Sequence, residues 1–199
     1  MAPKFLRSKI AVLLVIFLIF IGAMVTYSFV NKPRTPETPP IKVLLETSMG
    51  NITIELYNDM PITTGNFINL TELGIYDNTI FHRVTSSVIQ GGDPTGTGQG
   101  DPSISKIRDE LPNKHSNVIG AVAMAKMSSS TGSVIPNSAS SQFFINLVDN
   151  SAYYDSDYPV FGKVVAGMEA VAAIGTVQVD TSNDRPLEPV TLIKAIVLE

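Results

Sequence analysis

Residues 41–57 read IKVLLETSMGNITIELY. Two runs rich in apolar and β-branched residues, 41–46 and 51–57, flank Thr47-Ser48-Met49-Gly50, where glycine supplies the backbone freedom a tight hairpin needs. The stretch predicts two antiparallel strands. Outward from it, Pro61 suits a first helical turn, Phe67, Leu70 and Leu73 recur at a spacing of three, and Gly74 is a natural stop, so 61–73 is expected as a helix. Short strands are expected at 79–84, 88–90, 118–124, 143–147, 160–164 and 190–198, with a second helix at 168–174 between Gly167 and Gly175. Many short strands with two separated helices indicate an antiparallel β-barrel or sandwich capped by helices. Two long irregular segments, 91–117 and 126–141, lie beside strands that carry the conspicuous polar residues, which favours a functional role for part of each.

Towards the N-terminus the composition changes. Residues 10–25 read IAVLLVIFLIFIGAMV without a charge, and the uncharged stretch runs on to Val30. About 20 helical residues cross a bilayer core of roughly 30 Å, so 10–30 is expected as a transmembrane anchor, with the lipid bilayer as a partner. Lys4, Arg7 and Lys9 put residues 1–9 on the cytoplasmic side by the positive-inside rule, and everything beyond outside. The expected localisation is therefore the cell membrane, single-pass, with an extracytoplasmic domain. A cleaved signal peptide is the competing reading, against which stand the length of the run and the poor cleavage site after it. Residues 31–40, NKPRTPETPP, read as a proline-rich linker, and 41–199 as one globular domain.

Charge divides at the same border. Residues 1–40 hold five basic and one acidic side chain, and residues 41–199 nine basic and seventeen acidic. So acidic a domain is a poor fit to nucleic acid. The chain has no cysteine and only two histidines, His82 and His115, which leaves little material for a metal site. The glycines of 91–100, GGDPTGTGQG, are followed by no Gly-Lys-Ser/Thr and do not meet the GxGxxG spacing, so they read as tight turns and not as a phosphate cradle. No G-x-S-x-G elbow and no evident carboxylate pair supports a hydrolase. No cofactor or metal is expected.

Phe81-His82-Arg83-Val84 and Ser141-Gln142-Phe143-Phe144-Ile145 remain. Strand alternation puts Phe81 and Arg83 on one face, and Gln142 and Phe144 on one face opposite Phe143 and Ile145. An arginine, a glutamine and an aromatic so arranged suit an apolar peptide groove with polar clamps, although ordinary core aromatics and a surface arginine would look the same.

FHRV, then IQGGDPTGTGQG, then SQFFINLVDN, then VFGKVVAGMEAV, together with the opening ETSMGNITIELY, resemble the cyclophilin family of prolyl isomerases over nearly all of 41–199. The resemblance implies an eight-stranded antiparallel barrel closed by two helices, and prolyl cis-trans isomerisation of proline-containing polypeptides. It implies Arg83 as the catalytic residue. It implies His82, Val88, Gln90, Met124, Ala125, Lys126, Gln142, Phe144, Tyr153, Tyr154 and Tyr158 as substrate-binding residues, with Phe144 flooring the proline pocket and Gln142 gripping the peptide backbone. A cyclosporin-type ligand enters as a further candidate partner.

The chain departs from the family pattern in three places. After FHRV, where a phenylalanine usually lines the pocket, it has Thr85-Ser86-Ser87-Val88, one residue shorter. Asp101 replaces a turn glycine. The segment 126–141 is about six residues longer than in compact bacterial-type members. A membrane-tethered Pro-peptide-binding module with weak or no turnover is therefore the alternative to an isomerase. Asn51-Ile52-Thr53 and Asn69-Leu70-Thr71 match the glycosylation acceptor pattern.

Overall fold

The computed structural model describes Phe17 and residues 39–198. The opening hairpin forms as its sequence dictates. Strands β1 (Lys42–Thr47) and β2 (Gly50–Leu56) pair antiparallel from Lys42↔Glu55 to Thr47↔Gly50. Thr47 Oγ1 donates to the Gly50 carbonyl at 2.6 Å and accepts from Met49 N–H at 3.1 Å, while Gly50 takes a φ of 120°. Alternation sends Val43, Leu45, Ile52, Ile54 and Leu56 into the core.

Helix α1 (Pro61–Glu72) starts on Pro61, and Met60 before it supplies no side-chain cap. Glu110 does so from far along the chain, accepting Ile62 N–H at 3.0 Å and Thr63 N–H at 2.8 Å. A carboxylate at a helix N-terminus satisfies orphan donors and suits the helix dipole. Phe67 packs against Tyr76, Phe161 and Phe143 with ring centroids 5.0, 5.0 and 5.4 Å away, the aromatic centre of the core. Leu73, expected on the apolar stripe, lies just past the helix and is 65% exposed, because the chain has already turned towards Gly74.

The remaining elements, in order, are β3 (Thr79–Ile80), β4 (Arg83–Val84), β5 (Val88–Gly91), β6 (Ala121–Met124), β7 (Phe143–Asn146), α2 (Ser151–Tyr154), β8 (Val160–Ala166), α3 (Met168–Ile174), β9 (Val179–Asp180), β10 (Arg185–Pro186) and β11 (Thr191–Leu198). Nine strands form one antiparallel sheet in the order β3-β11-β1-β2-β8-β6-β7-β5-β4, and β9 and β10 make a separate ribbon. The edge strands β3 and β4 are joined by only Phe81 and His82, so the sheet must curl until its two ends meet. An Ile80↔Asp93 bridge fastens the seam.

Three expectations are corrected. First, the barrel is built from nine strands and not eight. The single strand expected at 79–84 breaks at Phe81-His82 into the two ends of the sheet, and the β9–β10 ribbon and α2 were not foreseen. Second, the transmembrane helix is not part of the fold found. Among the described residues no helix is long and apolar enough to cross a membrane. Their longest, α1, has 12 residues and spans about 18 Å, against the roughly 30 Å of a bilayer core. The run 10–30 itself lies outside the described residues, as do residues 1–9 and most of the linker. Third, the bilayer partner and the single-pass cell-membrane topology rested on that anchor and are withdrawn with it.

Two glycines give opposite expectations. Gly167 enters α3 at a φ of 87°, and a Cβ there would overlap the Asn51 carbonyl, so Gly167→Ala should cost at least about 2 kcal/mol. Gly65, inside α1, has open space around its Cα, and Gly65→Ala should stabilise by about 0.5–1 kcal/mol. Urea unfolding midpoints check both.

Candidate active site

The outer face of the sheet carries a second, smaller apolar cluster made of Val88, Ala121, Ala123, Phe144 and Val160. Its geometry follows from register. Arg83 pairs with Gln90, Gln90 with Phe144, Phe144 with Ala123, and Ala123 with Val160, one rung running across β4, β5, β7, β6 and β8. Directly paired residues in antiparallel strands share a face, so the rung presents a cation, an amide, a ring and two small apolar groups in line. At about 4.8 Å per strand it spans about 19 Å, the length of a few extended residues.

Around this rung the chain adds polar clamps. Gln142 lies two residues before Phe144, on the same face. Gln90 Nε2 donates to Gln142 Oε1 at 2.9 Å, and Gln142 Nε2 donates to the Gly98 carbonyl at 3.1 Å. The amides thereby hold each other and the 93–100 loop in fixed orientation. Ala125 N–H donates to the Gln142 carbonyl at 2.9 Å, extending the edge. Beyond Gln90 and Gln142 lies a groove of about 740 Å³, walled by Gly98, Gly100, Pro102, Ala125, Met127 and Ser140 among others. A larger cleft, about 820 Å³, holds none of the rung residues and sits among the charged side chains of Asp59, Glu110, Lys114 and Lys126.

Aromatic cover comes from one side. Phe144 meets Tyr154 and Tyr158 edge-on, centroids 5.7 and 5.5 Å away, and the two tyrosines lie 5.1 Å from each other. On the other side the Thr85–Val88 turn is tight. Thr85 Oγ1 accepts from Ser87 N–H at 3.1 Å and Val88 N–H at 3.0 Å, which closes the turn on itself. The apolar residue there is Val88 itself, in the outer cluster.

The structure brings together Arg83, Val88, Gln90, Ala125, Gln142, Phe144, Tyr154 and Tyr158. Lys126 also lines the groove, though its ammonium group is engaged elsewhere, and Met124, Tyr153 and His82 stand apart. Met124 faces inward and is fully buried in the main core, because it follows Ala123 by one position. Tyr153 points away and is 81% exposed. The Lys126 side chain is 2% exposed and is spent on a clamp, its Nζ donating to Asp109 Oδ2 and to the Asp157 carbonyl. His82 is buried beside Gly98, whose Cβ position lies 3.2 Å from the His82 ring. The nearby Gln142 amide is engaged elsewhere, so neither ring nitrogen of His82 has a hydrogen-bond partner among the described residues.

Sequence reasoning missed two acids. Asp93 is fully buried and accepts from Thr95 N–H (3.0 Å), Thr95 Oγ1 (2.9 Å), Gly98 N–H (2.7 Å) and Gly100 N–H (3.2 Å). Burial alone would push its carboxyl up, but these hydrogen bonds together hold it below the ordinary carboxylate range. The glycines around Asp93 were the available signal, since positive-φ backbone turns its N–H groups inward on an anion. Asp184 lies beside Arg83, Oδ2 to Nε 3.3 Å, and only its place in the polar run 180–185 could have drawn notice.

Comparison with known proteins gives the family. The family described as cyclophilin type peptidyl-prolyl cis-trans isomerase/CLD matches residues 42–197. A peptidyl-prolyl cis-trans isomerase of Arabidopsis thaliana is 41% identical over 168 residues, covering 82% of this chain and 98% of the relative. One from Schizosaccharomyces pombe is 44% identical over 161 residues, covering 78% and 98%. A crystal structure of a cyclophilin type isomerase from Cryptosporidium parvum superposes with a TM-score of 0.73 at 30% identity, covering 80% of this chain and 98% of that one. The same isomerase in the presence of the dipeptide Ala-Pro gives 0.71 at 31% identity, covering 79% and 99%. The chain belongs to the cyclophilin-type peptidyl-prolyl cis-trans isomerases. It is an isomerase of X-Pro bonds in proline-containing polypeptides, and the binding module without turnover is set aside.

Burial lowers the His82 pKa from its ordinary 6.5, with the Asp93 charge acting the other way. A depressed histidine contributes stability above the unfolded-state pKa that is lost as pH falls from about 6.5 through the folded value. Unfolding free energy should therefore decline over that range, and His82→Gln should flatten the slope in urea titrations at successive pH values.

Proposed function

We propose that Arg83 accelerates isomerisation by stabilising the twisted amide. Rotation about the X-Pro bond breaks its conjugation, the source of an uncatalysed barrier of about 18–20 kcal/mol, and restores a lone pair to the prolyl nitrogen. A guanidinium fixed near that nitrogen favours the twisted form over either planar form, which is the condition for catalysis. No nucleophile or general base enters this scheme.

The remaining residues hold the peptide. Phe144 with Tyr154, Tyr158 and Val88 takes the proline ring and keeps it still while the preceding carbonyl swings. Gln90, Gln142 and the Ala125 edge grip the backbone on the N-terminal side. The ring contacts thin the water around the amide, which strengthens the guanidinium interaction. The observation that carries this reading is the rung itself, with Arg83, Gln90 and Phe144 in direct register. The likeness to an isomerase solved in the presence of Ala-Pro supports it.

The test is cis-to-trans conversion of a short X-Pro peptide. Arg83→Ala should lower kcat/KM at least about 100-fold, the scale on which a fixed transition-state donor acts. Gln142→Ala should act mainly through KM, by about 3- to 10-fold, the loss of one or two peptide hydrogen bonds. Phe144→Ala should weaken both parameters. Turnover unchanged in Arg83→Ala would overturn the assignment.

A further inference from the structure

Register fixes where Arg83 leaves the sheet but not where its guanidinium goes. The side chain is long, stands 44% exposed at an edge strand, and has many rotamers. Its hydrogen-bond partner is Asp184, whose Oδ2 accepts from Nε at 3.3 Å. Asp184 is itself over-determined. Its φ is +60°, a conformation costly for a residue other than glycine unless the surroundings impose it.

The surroundings do impose it. Asp184 N–H donates to the Asp180 carbonyl at 2.8 Å, and the β9–β10 ribbon closes at Asp180↔Arg185. Asp180 Oδ1 accepts from Ser182 N–H at 2.9 Å and Ser182 Oγ at 2.7 Å, and Asn183 Oδ1 from Arg185 N–H at 3.0 Å. The turn is then tied to the barrel at two places. Val84 N–H, next to Arg83, donates to the Asp184 carbonyl at 2.8 Å, and Arg185 Nη2 donates to the Gly96 carbonyl at 2.5 Å. Asp184 thus grips β4 by its backbone and Arg83 by its side chain.

An exposed ion pair at this distance adds little to folding stability. What it fixes is orientation. With Nε taken, the two terminal nitrogens of the fork remain as donors. Arg83 pairs with Gln90 and Gln90 with Phe144, so the side chain leaves the sheet on the face that carries the pocket, and its charge opposes the upward shift that burial gives the Tyr158 hydroxyl.

We propose that Asp184 is a positioning residue for the isomerisation, holding Arg83 by Nε so that its terminal nitrogens face the Phe144 pocket. The inference rests on the role proposed for Arg83. Asp184→Asn keeps the backbone contacts and suits a positive φ, while weakening the hold on Nε. It should lower kcat about 5-fold, leave KM within about 2-fold, and leave Tm within about 2 °C. Raising salt should lower wild-type kcat towards that of the variant, since exposed pairs are screened. The ¹⁵N order parameter of the Arg83 Nε–Hε should fall in the variant, which a merely structural role would not produce. Should Asp184→Asn fail to fold, Asp184→Gly, which accepts the same φ, takes its place. Unchanged kcat, or an unchanged Arg83 order parameter, overturns the inference while an inactive Arg83→Ala leaves the wider reading standing. An active Arg83→Ala sinks that wider reading instead.

Discussion

Two residues, Phe81 and His82, hold the barrel shut. They join the first and last strands of a nine-stranded sheet, and a chain that short forces the sheet round until its ends meet. Everything else adapts to that curvature. The inner face becomes one apolar core around Phe67, Tyr76, Phe143 and Phe161, and the outer face must present its alternate residues on a convex surface. The joint also explains a costly pair of neighbours. Phe81 goes into the core, His82 is drawn in without a hydrogen-bond partner among the described residues, and Arg83 emerges at the first position where the new strand has an outer face.

The site is therefore a consequence of pairing and not of any single loop. A one-residue slip of β7 against β5 would replace Phe144 by Phe143 or Ile145 on the outside and break the line from Arg83 to Val160. The core and the groove are coupled by this alternation, since each residue that fills one is flanked by residues that build the other. Packing of Phe143 and Ile145 inside specifies the register that places Phe144 outside. The short Thr85–Val88 turn leaves the far wall thin, and aromatic cover comes instead from Tyr154 and Tyr158, both on the chain between β7 and β8.

Much of this was legible in the sequence because it depended on local pattern. The hairpin of 41–57, α1, α3 and the outward pairing of Gln142 with Phe144 follow from periodicity and turn chemistry. Resemblance to the cyclophilins supplied the candidate site residues, but not the direction in which each side chain points. Met124 sits one position from the outer face and so turns inward, and Lys126 reaches a partly buried carboxylate, Asp109, seventeen residues away in sequence. Glu110 on the start of α1, Asp93 in its ring of donors and Asp184 on Arg83 are long-range or turn-built contacts with no periodic signal. The break of the strand at Phe81-His82 was hidden for a related reason, since the run reads as continuous and only closure of the sheet divides it.

Asp93 has a further consequence for how the groove meets a peptide. A glycine-rich wall would ordinarily sample many backbone states, and a ligand would have to select one and bear the associated loss of entropy. Here a buried carboxylate gathers Thr95, Gly98 and Gly100 when the domain folds, and Arg185 braces Gly96 from outside. The wall is ordered before any substrate arrives. Association can then proceed close to rigid docking, without this wall having to close and reopen in each cycle.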